Sequence, residues 1–529
     1  MKRWVFYGLA FCLPAANAQA AKSFGDIPLL AALDQQGFLQ LLVARSVEVE
    51  YSQLNTEVTW RLMRGEAGLY ESNFILGVRG DGRRRQRTAE ERTQNFSTAA
   101  TSILEENGRA NELGVRSRLP WGSEVSLMYK PTSKTNNLIP QNNSGQFDTE
   151  YNAILNLTVK QPLMRNAGRT VTETDLQVAE LENKISLQQF SQQLLKSSID
   201  GLNLYWQLYR AEATLALRQN AYKSTNELLE DARARSQAGK LPASAALEVQ
   251  GVLLNRLAEV TRSQQALREA QGKVATALNI VWLPKNPLST RPKWLVLDEL
   301  ALLKAPPPEQ ALHLWPAYQI AKLKLVQAQA RLNFASNQRQ PVVDLVMSYS
   351  GTGYDYKGKA ARSTALHSKF PDWYLGVNVE IPLQGNQKAK NQFLAQNSRL
   401  LQAELELEAI ATSFSNDLSV RHNDLLSASK VLSTSHDEVA IRQTLYDNER
   451  QRHQIGVGLL GTLIQKQVDL TEAQQRLLEN QIRFEVAFAT WQYTQSSLLN
   501  DHQIQVSAHD ASPDTLQKVP PEKTQATAP

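Results

Sequence analysis

Two stretches of this chain, Arg233-Ala234-Arg235-Ser236-Gln237-Ala238-Gly239 and Arg450-Gln451-Arg452-His453-Gln454-Ile455-Gly456, share the pattern R-x-R-x-Q-x-G and lie 217 residues apart. Upstream of the motif the same shift carries Leu208 to Leu425, Leu215 to Leu432 and Tyr222 to Val439. Downstream it carries Ala246 to Leu463, Leu253 to Leu470 and Leu267 to Phe484. Chance supplies one such match, but not a motif and both its flanks at a single shift. The chain is an internal duplication.

What is duplicated is helical. Every seventh residue reads Leu187, Leu194, Gly201, Leu208, Leu215, Tyr222, Leu229 before the first motif and Leu418, Leu425, Leu432, Val439, Tyr446 before the second. After the motifs come Ala246, Leu253, Val260, Leu267, Val274, Val281 and Leu463, Leu470, Leu477, Phe484, Trp491, Leu498. Sustained seven-residue apolar ladders mean long helices packed side by side along the ladder. In each half glycine breaks the helical stretch: Gly239, with Pro242 beyond it where a helix can start, and Gly456, with Gly458 and Gly461. The spacing predicts a helix of roughly 65 residues before each break, about 100 Å long, and one of about 40 after it. A short turn between two long helices makes an antiparallel hairpin.

Strand-like sequence precedes each hairpin. Val342 to Tyr349 and Trp373 to Ile381 alternate or are β-branched, on either side of a loop rich in Gly, Ser and Lys from Ser350 to Ser368. Phe74 to Val78 and Tyr151 to Val159 hold the same places in the first half. The strand-to-helix corner recurs as Val159-Lys160-Gln161-Pro162-Leu163 and Val379-Glu380-Ile381-Pro382-Leu383, with proline ending the strand. The first half carries an insertion of about 50 residues between its strands. In it, Leu113 to Leu119 and Ser123 to Tyr129 flank Pro120-Trp121-Gly122 as an extra hairpin, which either joins a barrel wall or folds over the mouth.

Two strands per half give four per chain, too few to close a barrel, and an open sheet cannot sit in lipid with unpaired edges. Several chains must therefore contribute strands together. Tyr349, Tyr354, Tyr356, Phe370, Trp373, Tyr374, Trp121 and Tyr129 cluster at strand ends, as aromatic girdles do. Ordinary strand propensity would give the same residues. The very long helices favour the membrane reading, and so does the start of the chain.

The chain opens Met1-Lys2-Arg3, runs apolar from Trp4 to Leu13 and reaches Ala18-Gln19-Ala20, the layout of a secretory signal peptide cleaved between Ala20 and Ala21. Its apolar run is too short to span a bilayer. The one cysteine, Cys12, leaves with the signal, so the mature chain has no disulfide or cysteine metal site; Phe11 before it argues against a lipid anchor. Mean hydropathy is −0.39, which suits a soluble periplasmic protein or a β-barrel, whose alternating strands raise no hydropathy peak.

The net charge of +5 falls to +3 without Lys2 and Arg3, which gives no support to a nucleic-acid partner. The cluster Arg83-Arg84-Arg85-Gln86-Arg87 reads as a solvated loop, with contact to anionic lipid head groups as the sharper alternative. No H-E-x-x-H, paired C-x-x-C, Walker or dinucleotide motif occurs. His422 and His436, two heptads apart, read as surface or lumen lining rather than metal ligands. No catalytic, cofactor or metal site is expected.

The chain therefore divides into a signal peptide (1–20) and a first repeat (21–281), with strands over about 74–160 and a hairpin over about 165–281. A proline-rich connector (282–308) leads to a second repeat (309–502), with strands over about 342–382 and a hairpin over about 385–500, and to a disordered tail (503–529).

Two tandem units of strand pair plus long helical hairpin resemble the TolC-type outer-membrane efflux proteins. The corner Gln161-Pro162-Leu163-Met164-Arg165-Asn166-Ala167-Gly168 resembles that family's turn from barrel into helix. Glu309-Gln310-Ala311-Leu312-His313-Leu314-Trp315-Pro316-Ala317 resembles its "AL…RP" helix start, and the likeness covers roughly residues 26 to 502. The resemblance implies a mixed, mainly α fold, with long antiparallel helical hairpins forming an α-barrel beside transmembrane β-barrel strands. It implies a homotrimer that closes a 12-stranded barrel in outer-membrane lipid and a 12-helix periplasmic tunnel. A periplasmic adaptor (membrane fusion) protein and an inner-membrane transporter would be its partners.

By that likeness the two turns are periplasmic tips that meet the adaptor, with Arg233, Arg235, Gln237, Gly239, Arg450, Arg452, Gln454, Gly456 and Gly458 as contact candidates. Helix capping alone would also explain the arginines, since cations favour a helix C-terminus. Some members close the pore with acids six and nine places after the second turn glycine. Here those places are Thr462 and Gln465, matched in the first half by Ala245 and Glu248, so Glu248 is the one acid among them. A soluble periplasmic coiled-coil scaffold or pump adaptor would explain the heptads and the signal, but not the repeated strand pairs.

Overall fold

Helices occupy the seven-residue ladders and strands the alternating stretches, in the order the duplication predicts. The computed structural model describes residues 33–93, 102–138, 148–281, 288–294, 308–502 and 504. The signal peptide with its Ala20–Ala21 site, much of the connector and nearly all of the tail lie outside the described residues.

In the first half, α1 (Gln35–Arg45) and α2 (Val47–Ala67) lead to β1 (Asn73–Gln86), and the short α3 (Ala89–Thr93) follows it. Then come β2 (Ile103–Arg118), β3 (Glu124–Asn136), β4 (Thr149–Pro162), the short α4 (Arg169–Thr172), α5 (Thr174–Gln237) and α6 (Ala243–Ala277). The second half runs α7 (Pro308–Leu314), α8 (Pro316–Gln338), β5 (Val342–Asp355), α9 (Gly358–Leu366), β6 (Phe370–Glu380), α10 (Gln387–Gln454), α11 (Leu460–Thr494) and α12 (Leu498–Asp501). The helices before the turns have 64 and 68 residues, and those after them have 35 each rather than about 40. No described helix is long and apolar enough to cross a membrane.

The chain forms two compact units. The first, within Val47–Asp200, Val296–Val431 and Arg483–Pro529, holds the sheet. All six strands form one antiparallel sheet in the order β1-β2-β3-β4-β5-β6. The extra hairpin is therefore part of the sheet, seated between β1 and β4, and the chain supplies six strands rather than four. Two added antiparallel strands leave the directions of their neighbours unchanged, so the sheet absorbs them without rearrangement.

Two other expectations are corrected in this unit. Arg83, Arg84 and Arg85 belong to β1, not to a loop: Arg84 pairs with Glu105 at 3.0 Å and Arg85 with Glu91 at 2.7 Å, because β2 extends far enough to pair the whole of β1. The Gly- and Ser-rich stretch after Tyr349 is not simply loop either. It completes β5 as far as Asp355 and then folds as α9.

The second unit lies within Met1–Ser46, Gly201–Leu295 and Leu432–Ile482. Phe38 of α1 packs on Tyr205 (ring centroids 5.6 Å apart), and the Tyr205 hydroxyl donates to the Leu33 carbonyl at 3.1 Å. The described part of the connector is docked here. Thr290 forms a parallel bridge with Leu33, and Trp294 stacks on Trp206 at 5.3 Å. Glu212 accepts from the Thr290 backbone N–H at 3.2 Å and from the Thr290 hydroxyl. Burial raises the Glu212 carboxyl above its ordinary range, opposed by these two hydrogen bonds.

Most ladder residues are buried as the seam requires: Leu194, Leu208 and Leu229 in α5, Leu418, Leu425 and Leu432 in α10, and Leu463, Leu470, Phe484 and Trp491 in α11. The ladder fails at its last rung in the first half. Val281 is 83% exposed because α6 stops at Ala277 and Asn279 turns into the left-handed region (φ 51°).

Candidate functional site: a two-faced sheet and a pair of helical turns

Side chains alternate across a strand, and the register of this sheet aligns the alternation over all six. Phe74, Val115, Leu127, Leu157, Tyr349 and Trp373 form one row on one face. Leu76, Leu113, Tyr129, Leu155, Gly351 and Pro371 form the next. On the other side of the first row, toward the strand-to-helix corner, Val125, Val159, Met347 and Leu375 continue the same face. Phe74, Leu76, Val78, Trp373, Leu375, Val377 and Val379 are each more than half exposed on it. An open apolar face this broad exceeds what a soluble monomer carries and marks an interaction surface.

The opposite face is polar and internally paired. Glu112 meets Lys130 at 3.0 Å, Glu106 meets Lys134 at 2.8 Å, Arg116 meets Glu124 at 3.1 Å and Lys160 meets Asp344 at 2.8 Å. Ser348 donates to Asn156 on the same side at 2.8 Å. The edge strands β1 and β6 have no outer partner among the described residues. The expected aromatic set divides between the faces, because neighbours in a strand must point opposite ways. Tyr129, Tyr349 and Trp373 are on the apolar face, within their strands rather than at the ends expected of them, because the strands run longer than the sequence suggests. Tyr354, Tyr374 and Phe370 are on the polar face, Tyr356 lies just past β5, and Trp121 is in the β2–β3 turn.

The two motif turns have the same backbone. Lys240 N donates to Arg235 O at 2.9 Å and Gly239 N to Ser236 O at 3.0 Å; Val457 N donates to Arg452 O at 3.0 Å and Gly456 N to His453 O at 3.1 Å. Gly239 and Gly456 are left-handed (φ 66° and 83°), which completes a Schellman cap on each long helix and requires glycine. Gly458 N also reaches Arg452 O, at 3.0 Å.

The side chains of the two motifs do different things. Arg235 donates to the His453 carbonyl at 3.1 Å and pairs with Asp231 at 2.9 Å, so it ties the first turn to the second. Asp231 also lies 3.4 Å from the buried His453 imidazole. Beside this link Leu229, Ala232, Val249 and Leu460 form a shared apolar core. Its counterpart Arg452 is exposed and reaches only Glu449 of its own helix, at 3.2 Å; Arg233 likewise reaches Glu230 at 3.2 Å. Arg450, Gln237 and Gln454 are exposed and make no described side-chain contact.

At the gate positions Glu248 and Thr462 are exposed, and Gln465 donates to Asp469 at 2.8 Å. Asp469 in turn is held by Arg442 at 3.1 Å, a pair the sequence did not single out. His422 stacks on Trp491 (5.1 Å), and no group of three metal-ligating side chains occurs among the described residues.

No protein-family model matches the chain, and neither does any curated protein. Solved structures do match. The outer membrane protein VceC from Vibrio cholerae superposes with a TM-score of 0.60 at 13% identity, over 87% of this chain and 96% of its own. The CmeC outer membrane channel of Campylobacter jejuni gives 0.61 at 10% identity, over 88% and 86%. The MtrE outer membrane channel of Neisseria gonorrhoeae, in its open state, gives 0.58 at 14% identity, over 88% and 89%. The chain has the fold of these channel proteins, the TolC-type fold that its duplicated plan resembles.

Proposed function

We propose that this protein is the outer-membrane exit duct of an envelope-spanning export pump, of the tripartite efflux or type I secretion kind, and acts as a passive conduit without enzymatic activity or cofactor. The observation that carries the proposal is the two-faced six-stranded sheet with both edges open. Its apolar face suits lipid, its charged face suits an aqueous lumen, and its edges cannot stay unpaired in a membrane. Six is an even number, so β6 of one copy runs antiparallel to β1 of the next and copies can close into a ring. With three copies the barrel has 18 strands; the 12 implied by family resemblance would need four per chain.

The helical turns are then the periplasmic tips where an adaptor docks, and the inner-membrane transporter behind the adaptor selects the cargo. Arg233, Arg450 and Arg452 are the better adaptor anchors, because Arg235 is already used inside the chain. A soluble periplasmic scaffold would leave the apolar sheet face uncovered in water, which disfavours that reading. Membrane fractionation tests the proposal. The protein should partition with the outer membrane, extract only in detergent and have the mass of a trimer. Recovery as a water-soluble monomer would overturn it.

A further inference from the structure

The helix α9 lies on the apolar face of the sheet, not beyond its rim. Gly351 and Gly353 point to that face, and a Cβ on Gly353 would overlap the Ala361 carbonyl oxygen, one on Gly351 that of Ala365. Ala361 and Ala365 are fully buried against the strands. Small residues on both sides thus bring helix and strand backbones together. Beside the helix this leaves a groove. Leu76, Leu113, Tyr129 and Leu155 line its sheet side, and Leu366 and Arg362 of α9 stand over it. Leu366 is 53% exposed there, an apolar side chain held at the open face.

The rim of the groove is cationic. Arg362 and, further along the same face of β2, Arg109 are exposed and hold no ion pair among the described residues. Lys357 and Lys369 flank α9, and Lys359 is in its first turn. The acids on this face are already engaged: Glu105 by Arg84 at 3.0 Å, and Asp355 by the Lys357 backbone N–H at 2.7 Å. We infer that the groove is a lipid site, which takes an acyl chain along Leu76, Leu113, Tyr129 and Leu155 and the phosphate of its headgroup on Arg362 and Arg109. Guanidinium groups bind phosphate oxygens bidentately, and an apolar trench with Arg362 over it and Arg109 two residues along β2 from its lining Asn111 matches a lipid rather than a free anion. The inference rests on the reading of the apolar face as lipid-facing.

Native mass spectrometry of the delipidated, detergent-solubilised full-length protein tests it. Phosphatidylglycerol, phosphatidylcholine and inorganic phosphate would be added separately, to wild type and to Arg362→Gln and Arg109→Gln/Arg362→Gln. Wild type should retain phosphatidylglycerol about tenfold over phosphatidylcholine and bind no inorganic phosphate, as charge-assisted contacts on an apolar floor require. The double variant should lose the preference and Arg362→Gln part of it, with unchanged assembly mass; both arginines are exposed, so folding is spared. Equal retention of both lipids by wild type, or a preference that survives the double variant, would overturn the site. Those results would leave the channel reading intact, whereas solubility without detergent would end both.

Discussion

The two halves of this chain agree to the residue at their helical turns and through the helices that follow them, and disagree in their sheets. The caps of α5 and α10, and both ends of α6 and α11, are each 217 residues apart. Yet the first half supplies four strands and the second two. The contrast follows from how each element is constrained. One extra residue in a helix rotates every later side chain by about 100° and takes it out of the seam. A pair of extra strands in an antiparallel sheet changes neither the direction nor the face of its neighbours. Duplication stays rigid where packing is periodic and becomes free where strands can be added in pairs.

Removing the inserted pair would break the contrast most completely. Replacing residues 87–148 by a two-residue Asn-Gly turn joins β1 to β4 as a tight hairpin and keeps their apolar faces on one side. With strands about 4.8 Å apart and tilted about 40°, 18 strands give a barrel radius of about 18 Å and 12 give about 12 Å. Spin labels at Leu157→Cys, in a Cys12→Ser background, should therefore move from about 31 Å apart between copies to about 21 Å in the deletion. A wild-type trimer that already shows the shorter distance would mean the insertion does not widen the barrel.

The seams offer a sharper comparison, because equivalent positions should fail equally. Leu208 is 2% exposed and Leu425 1%. Aspartate at either should bury a charge and cost several kcal/mol, read as a lower melting temperature and protease-sensitive helices. Aspartate at the half-buried Gln188, off the ladder, should be milder. Tolerance at Leu208 but not Leu425 would show that the repeated seams pack differently.

At the turns the halves should separate. Arg235→Glu removes the link to the His453 carbonyl and puts an acid beside Asp231, which should loosen the paired tips by about 1–3 kcal/mol. Arg452→Glu leaves that link intact but sets an acid against the buried Glu449 of its own helix, so it should cost some stability within α10 while adaptor cross-linking and transport fall. The double reversal should abolish transport with trimer yield and membrane insertion unchanged. Survival of cross-linking and transport in the double reversal would leave Arg452 a helix-capping role and Arg235 its link between the turns.

Much of this architecture was legible in the sequence because it is local or periodic. Helix spans, seams, both glycine turns and the outer strand pairs follow from spacing and from glycine and proline placement. What was not legible depends on distant partners. Arg83 to Arg85 look like a loop until β2 pairs them, and the glycines at 351 and 353 look like loop residues until a helix is seen lying on them. The motif itself divides this way. Its glycine and its spacing specify a cap readable in one dimension, whereas the separate duties of Arg235 and Arg452 depend on which turn lies beside which.

The smallest predicted effect concerns the connector, which has no counterpart in the other half. Glu212 receives two hydrogen bonds from Thr290, but burial still raises its carboxyl above the ordinary range. A carboxyl raised in the folded state favours folding only while protonated. Its contribution is therefore most favourable below the unfolded carboxylate range, near pH 4, and is lost as pH rises through the folded value. Glu212→Gln keeps an acceptor for Thr290 and removes the charge. At pH 7 to 8 the variant should be slightly more stable than wild type, by less than about 1 kcal/mol because the site is partly solvated. Near pH 4 the two should melt alike. If the variant is instead less stable at neutral pH, the charge-assisted bonds to Thr290 outweigh desolvation, and the connector is held to α5 by an ionised carboxylate.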